Sequence, residues 1–170
     1  MRTRTLLATG MLALFAATAQ AQEPRRCPAQ LPAPVAAKRD AIVAAAKARD
    51  WATLQKLTGP GEFAFSFGDD TDAIAYWRQA AAAGTDVLRM MQAVFAMGCV
   101  TVTNTRGYFF PPAAEIEWKR LNAAERKAME ALYGKAIDEW YVEGRAKGYY
   151  VGWRGVIEPD GAWSAFVAGD

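Results

Sequence analysis

The stretch GYYVGWRGVIEPDGAWSAFVA, residues 148–168, carries the clearest structural signal in the chain. Tyr149, Val151, Trp153 and Ile157 alternate along its first half with Gly155 between them, and Trp163, Ala165 and Val167 alternate along its second. Period-two alternation puts apolar side chains on one face of a strand. Between the halves stands Pro159-Asp160-Gly161. Proline presets φ for a turn, aspartate bonds nearby backbone, and glycine accepts positive φ. The spacing predicts a β-hairpin over 148–168. Because an isolated hairpin is marginal in water, other strands must join it in an antiparallel sheet.

The residues upstream supply helices. Val35, Arg39, Ile42, Val43 and Ala46 share one helical face, and Asp50 caps a short second helix, WATLQKLT, that Gly59-Pro60-Gly61 ends. Ile74, Trp77, Arg78 and Ala81 define a third. A fourth, capped by Thr85 or Asp86, carries Val87, Leu88, Met91, Val94 and Phe95 and stops at Gly98; Met90, Met91 and Met97 read as gap fillers. Asn122 and Glu125 form a capping-box pattern for a helix carrying Ala124, Ala128, Ala131 and Leu132, which 137–142 can continue after Gly134. Phe63, Phe65 and Phe67 alternate in a short strand over 62–67, 99–105 is β-branched, and 106–114 must turn at its two prolines. The class predicted is α+β: N-terminal and central helices packed on an antiparallel sheet that ends in the hairpin. One globular domain spans 35–170, preceded by a proline-rich extended arm over 22–34.

Residues 1–21 begin with Arg2 and Arg4, continue through an apolar run from Leu6 to about Ala17, and close on Ala19-Gln20-Ala21. This is the pattern of a Sec-type signal peptide cut after Ala21, with an apolar run short of the ~20 residues that span a bilayer. A soluble periplasmic or secreted protein without a membrane anchor is expected. Of the 20 Lys+Arg and 18 Asp+Glu, cleavage removes two arginines and leaves a balanced 18 against 18, so neither nucleic acid nor an anionic membrane is an expected partner. Cys27 and Cys99 are the two cysteines, and in an oxidising compartment such a pair reads as a disulfide. The sequence has no histidine, which excludes Ser-His-Asp and Cys-His catalysis and histidine-ligated zinc or haem. No residue pattern calls for a cofactor.

The acidic cluster Asp69-Asp70-Thr71-Asp72 precedes a helix, where acids satisfy unpaired N–H groups. Asp70 or Thr71 as cap, with Asp72 in the first turn, accounts for it; a calcium loop would bring further carboxylates, whereas Ala73, Ile74 and Ala75 follow. No metal site is expected. Arg154 lies between Trp153 and Gly155, able to join a structural ion pair or to hold a ligand carboxylate, with glycines nearby that permit close approach. Arg78, one turn from the aspartates, is a second such candidate, and Asp72 a third. Tyr108, Phe109 and Phe110 either cover a core edge or, if exposed, form an apolar binding patch. Trp51, Trp77, Trp153 and Trp163 read as core; Trp118 and Trp140 stay open.

Two resemblances rest on these residues. Gly152-Trp153-Arg154, Ile157, Asp160-Gly161, Trp163 and 166–170, together with Phe65-Ser66-Phe67-Gly68 and 72–78, resemble a family of small exported proteobacterial proteins. That resemblance implies export and a shared fold and brings no catalytic residues. The phrase AIVAAAKARDWATLQKL is similar to the opening helices of the NTF2-like (SnoaL, ketosteroid-isomerase-like) fold, which implies an alternative cone architecture. Three functions follow as expectations. The first is a cell-envelope binding or interaction domain with an unknown envelope ligand or protein as partner. The second is an NTF2-like enzyme with a carboxylate base such as Asp72 or Glu62, and the third a structural accessory protein without a small ligand. The first is preferred, because no residue supplies a reaction.

Overall fold

The hairpin turn forms as its three residues dictate. In the computed structural model, which describes residues 23–68, 72–103, 105, 107–134, 137 and 150–169, Gly161 N–H donates to the Glu158 carbonyl and the Asp160 carboxylate accepts from Ala162 N–H, both at 2.9 Å. Gly161 takes φ +88°, and a β-carbon there would stand 2.9 Å from the Pro34 carbonyl oxygen. The flanking strands, β4 (Arg154–Ile157) and β5 (Trp163–Val167), pair antiparallel. Their alternation fails at one point. Val156 pairs with Ala165 but Ile157 pairs with Trp163, leaving Ser164 as an extra residue. This β-bulge shifts the phase of β5, so Trp163 and Phe166 are both buried while Ala165, expected beside Trp163, is only half-buried.

Three further strands, β1 (Arg25–Arg26), β2 (Val100–Thr101) and β3 (Tyr108–Phe110), complete a sheet of order β1-β2-β3-β4-β5 with every neighbouring pair antiparallel. The helices are α1 (Ala33–Lys47), α2 (Trp51–Thr58), α3 (Ala73–Ala82), α4 (Val87–Ala96) and α5 (Ala123–Tyr133). The α+β class expected from the sequence is the one observed. Asp50 caps α2, Asp86 caps α4, and Asn122 with Glu125 closes a capping box on α5. Helix α1 packs on α2 and α4, and α4 packs on β4. Among the described residues no helix is long and apolar enough to cross a membrane.

Aromatic rings dominate the main core. Trp77 stacks on Trp163 at 5.7 Å, Trp153 on Phe166 at 5.0 Å, and Phe63 meets Trp163 edge-on at 4.9 Å. Each such side chain contributes roughly 1.5–3 kcal/mol on burial. Gly155 makes room for this layer: a β-carbon there would come within 2.3 Å of the Phe95 ring. A second cluster, with Val100, Ile116, Trp118, Met129 and Tyr150, lies between the sheet and α5, so Trp118 is core. Trp140 lies outside the described residues.

Several boundaries differ from expectation, each for a local reason. Helix α1 starts at Ala33, inside the expected arm, because Pro34 in a first turn lacks only an N–H that would be unpaired anyway. The arm itself supplies β1. The expected strand 62–67 reduces to one parallel bridge, Ala64 with Ala165, in which Ala64 N–H donates to Ser164 O and Phe166 N–H donates to Ala64 O, both at 2.9 Å. Strand β5 bends at its bulge, and the phenylalanine run follows it for one residue only. Among the described residues of 99–105, two are in a strand before Thr105 N–H folds back onto the Val102 carbonyl at 3.0 Å. Ile137 is helical; the rest of 137–142, and 148–149 of the hairpin, lie outside the described residues.

Candidate functional site

The candidates named from the sequence are scattered. Asp72 Oδ1 accepts from Ile74 N–H at 2.8 Å and from Ala75 N–H at 3.0 Å, so Asp72 is itself the N-cap of α3, in place of the expected Asp70 or Thr71. Its extended backbone, φ −134°, suits a cap position. Asp69, Asp70 and Thr71 lie outside the described residues, and among those described no three acidic or cysteine side chains gather to hold a metal ion. The Arg78 guanidinium stands over the Trp51 ring, 5.6 Å from its centre. Tyr108 is half-buried against the main core, Phe109 packs on the second cluster and Phe110 is fully buried, so these rings cover core.

Arg154 sits at the base of the hairpin. Its Nη1 donates to the carbonyls of Gly169 at 3.0 Å and Tyr150 at 3.2 Å, with a long 3.5 Å contact to that of Gly152. Its guanidinium also lies 5.5 Å from the centre of the Phe67 ring. Phe67, expected in the buried aromatic row, is 59% exposed; it serves as a cover for Arg154. Beside it, Trp153 N–H donates to Tyr133 Oη at 2.8 Å, the Tyr133 and Tyr150 hydroxyls meet at 2.9 Å, and Tyr150 Oη donates to the Trp153 carbonyl at 3.2 Å. With Tyr133 donating to Tyr150, these bonds close a ring in which each group gives and receives one proton. Burial pushes the Tyr133 hydroxyl pKa up, only partly offset by its bond to Tyr150. The glycine signal near Arg154 has its answer here, because a β-carbon on Gly152 would lie 2.2 Å from Tyr150 Oη. Burial likewise raises the Glu115 carboxyl pKa and the Arg154 charge partly opposes it, although much of the Glu115 residue is open to solvent.

A cleft lies at the opposite edge of the sheet, where the arm meets the body. It encloses about 230 Å³. Cys27 and Cys99, joined as expected with Cα atoms 5.3 Å apart, line it and tie one wall to the other. Cys27 N–H adds a bond to the Cys99 carbonyl at 2.8 Å. Leu31, Met97 and Phe110 give the cleft an apolar lining.

Its charged lining is Arg26, Arg39 and Glu125. Arg26 donates from Nε and Nη2 to the two Glu125 oxygens at 2.8 and 2.9 Å, and from Nη2 to the Arg120 carbonyl at 2.9 Å. Glu125 also accepts from Asn122 N–H at 2.8 Å. The Arg26 hydrogen bonds hold the Glu125 carboxyl below the usual glutamate range. Arg39 differs: among the described residues its one polar partner is its sequence neighbour Asp40, at 2.8–2.9 Å, which does not line the cleft.

Reading residue types in order did not single out this cleft. A signal was present: Arg39 interrupts the apolar face of α1, and Arg25-Arg26 precede the cysteine of the arm. No family model matches the chain, and no curated protein or solved structure matches it either.

Proposed function

We propose that this chain is an exported cell-envelope protein that binds a small ligand in the cleft between its N-terminal arm and its body. The observation that carries the reading is the cleft itself, a space with both apolar and charged residues in its lining whose two walls are joined by a disulfide. The signal-like pattern of residues 1–21 supports export to a compartment where that bond persists. Binding is favoured over catalysis by the state of Glu125. With both oxygens already bonded by Arg26 and Asn122 and its pKa lowered, it is held as an anion and is a poor proton acceptor near neutral pH. At about 230 Å³ the cleft is smaller than the ~300–1,000 Å³ of ordinary ligand sites, which suits a fragment-sized ligand.

Gly98 offers the test. It lines the cleft without positive φ, and a β-carbon there meets only the Pro112 ring, at an ordinary 3.7 Å. Gly98→Trp should fill the space without disturbing the fold. Cell fractionation and N-terminal sequencing should find the protein outside the cytoplasm, starting at Gln22. A thermal-shift screen of small envelope metabolites should give hits that Gly98→Trp abolishes. Cytoplasmic retention of the uncleaved chain, or hits indifferent to Gly98→Trp, would refute the reading.

A further inference from the structure

We infer that the cleft selects a small monocarboxylate with a compact apolar body, and that Arg39 is the residue that takes the carboxylate; this rests on the binding role proposed above. Charge complementarity makes the case. Of the three charged side chains lining the cleft, Arg26 and Glu125 neutralise each other through two hydrogen bonds, and the Arg120 carbonyl holds Arg26 in place. Arg39 is the third, and its counter-ion, Asp40, is not among the residues that line the cleft.

The Arg39–Asp40 pair is a poor competitor. It joins adjacent residues of α1, and the Asp40 side chain is 67% exposed. Exposed pairs of this kind contribute little and exchange partners readily. A guanidinium in such a pair can turn to a ligand carboxylate and form the two-bond fork that Arg26 already makes with Glu125. Leu31 and Met97 then receive the apolar body. Size limits the ligand further: about 230 Å³ lies below the ~300–1,000 Å³ of ordinary ligand sites. Hexanoate, a small monocarboxylate with an apolar tail, serves as the probe.

The experiment titrates isotope-labelled protein, disulfide intact, with hexanoate, hexanol and hexylamine, reading amide NMR shifts. Hexanoate should move the amides of Leu31, Gly98 and Cys99 and bind about tenfold more tightly than hexanol, a ratio equal to ~1.4 kcal/mol. Hexylamine should bind most weakly. Arg39→Ala should erase the preference for the carboxylate at an unchanged melting temperature, and Arg39→Lys should keep part of it. If hexanol matches hexanoate at the same amides, or Arg39→Ala retains the preference, the carboxylate inference falls while the cleft remains a binding site. If hexanoate moves no cleft amide, the inference falls as well, and the Gly98→Trp screen alone then decides the binding role.

Discussion

The two ends of the sheet use arginine in opposite ways. At the hairpin base, Arg154 reaches the carbonyls of Tyr150, just before its own strand, and of Gly169, just after β5, and Phe67 lies against it. Beside it, the ring of Tyr133, Tyr150 and Trp153 leaves no donor or acceptor of that ring idle. At the arm cleft, Arg39 holds a single exposed neighbour that moves with it. A hydrogen bond from a charged donor is worth ~1.5–3 kcal/mol net, whereas an exposed ion pair is worth ~0–1 kcal/mol. The first arginine would lose too much by changing partners; the second loses almost nothing. An arginine fixed by backbone carbonyls builds structure, and one held by a replaceable partner at the edge of a cleft is, in the reading proposed here, the one that binds.

The strongest way to separate the two ends is to cut the disulfide. It closes a loop 72 residues long, for which loop entropy gives on the order of 4 kcal/mol. Replacing both cysteines, Cys27→Ser with Cys99→Ser, should lower the melting temperature by roughly 8–16 °C in a domain of this size. Trypsin should then cut after Arg25 and Arg26 well before the rest of the chain, because the arm is left with a two-residue strand and a few exposed polar contacts, the Arg26–Glu125 pair among them. An unchanged melting temperature would mean that the arm's remaining contacts hold it unaided.

The hairpin base should respond in stability alone. Tyr133→Phe removes the acceptor of Trp153 N–H and a partner of Tyr150 Oη. Leaving a buried donor unpaired costs ~1–3 kcal/mol. The melting temperature should fall by a few degrees while the hexanoate titration stays the same. A weakened titration would show that the two ends are coupled, and the division drawn between them would have to go.

What could be read from the sequence follows the range of the forces involved. The Pro159-Asp160-Gly161 turn, the Asp50 cap and the Asn122–Glu125 box depend on bonds within a few residues, and all three formed as read. The aspartate cluster was legible as a helix start, but choosing Asp72 over its neighbours needed backbone geometry. The Ser164 bulge reflects packing of Trp163 and Phe166 against α3 and α4, which no local pattern encodes. The cleft was hidden for the same reason. Its lining comes from five separate parts of the chain, and only the cysteine pair linked two of them in advance.

The smallest predicted effect concerns acidity at the cleft. The Arg26 hydrogen bonds lower the Glu125 pKa in the folded protein below its ordinary value of 4.5. A carboxyl that is more acidic when folded contributes its stability fully above the unfolded value and loses it as pH falls through the folded one. Arg26 is half exposed, which limits the contribution to below about 1 kcal/mol. Glu125→Gln should therefore melt slightly below the parent at neutral pH, and the difference should close as the solution is acidified below about pH 4.5. The titration of Arg39 with hexanoate adds a second reading. Once Glu125 no longer neutralises Arg26, the cleft lining holds two arginines without a counter-ion in that lining instead of one, so at neutral pH Glu125→Gln should bind hexanoate more tightly than the parent. Weaker binding would show that Glu125 serves the site by holding Arg26 in position, and that the anion is shared between both arginines.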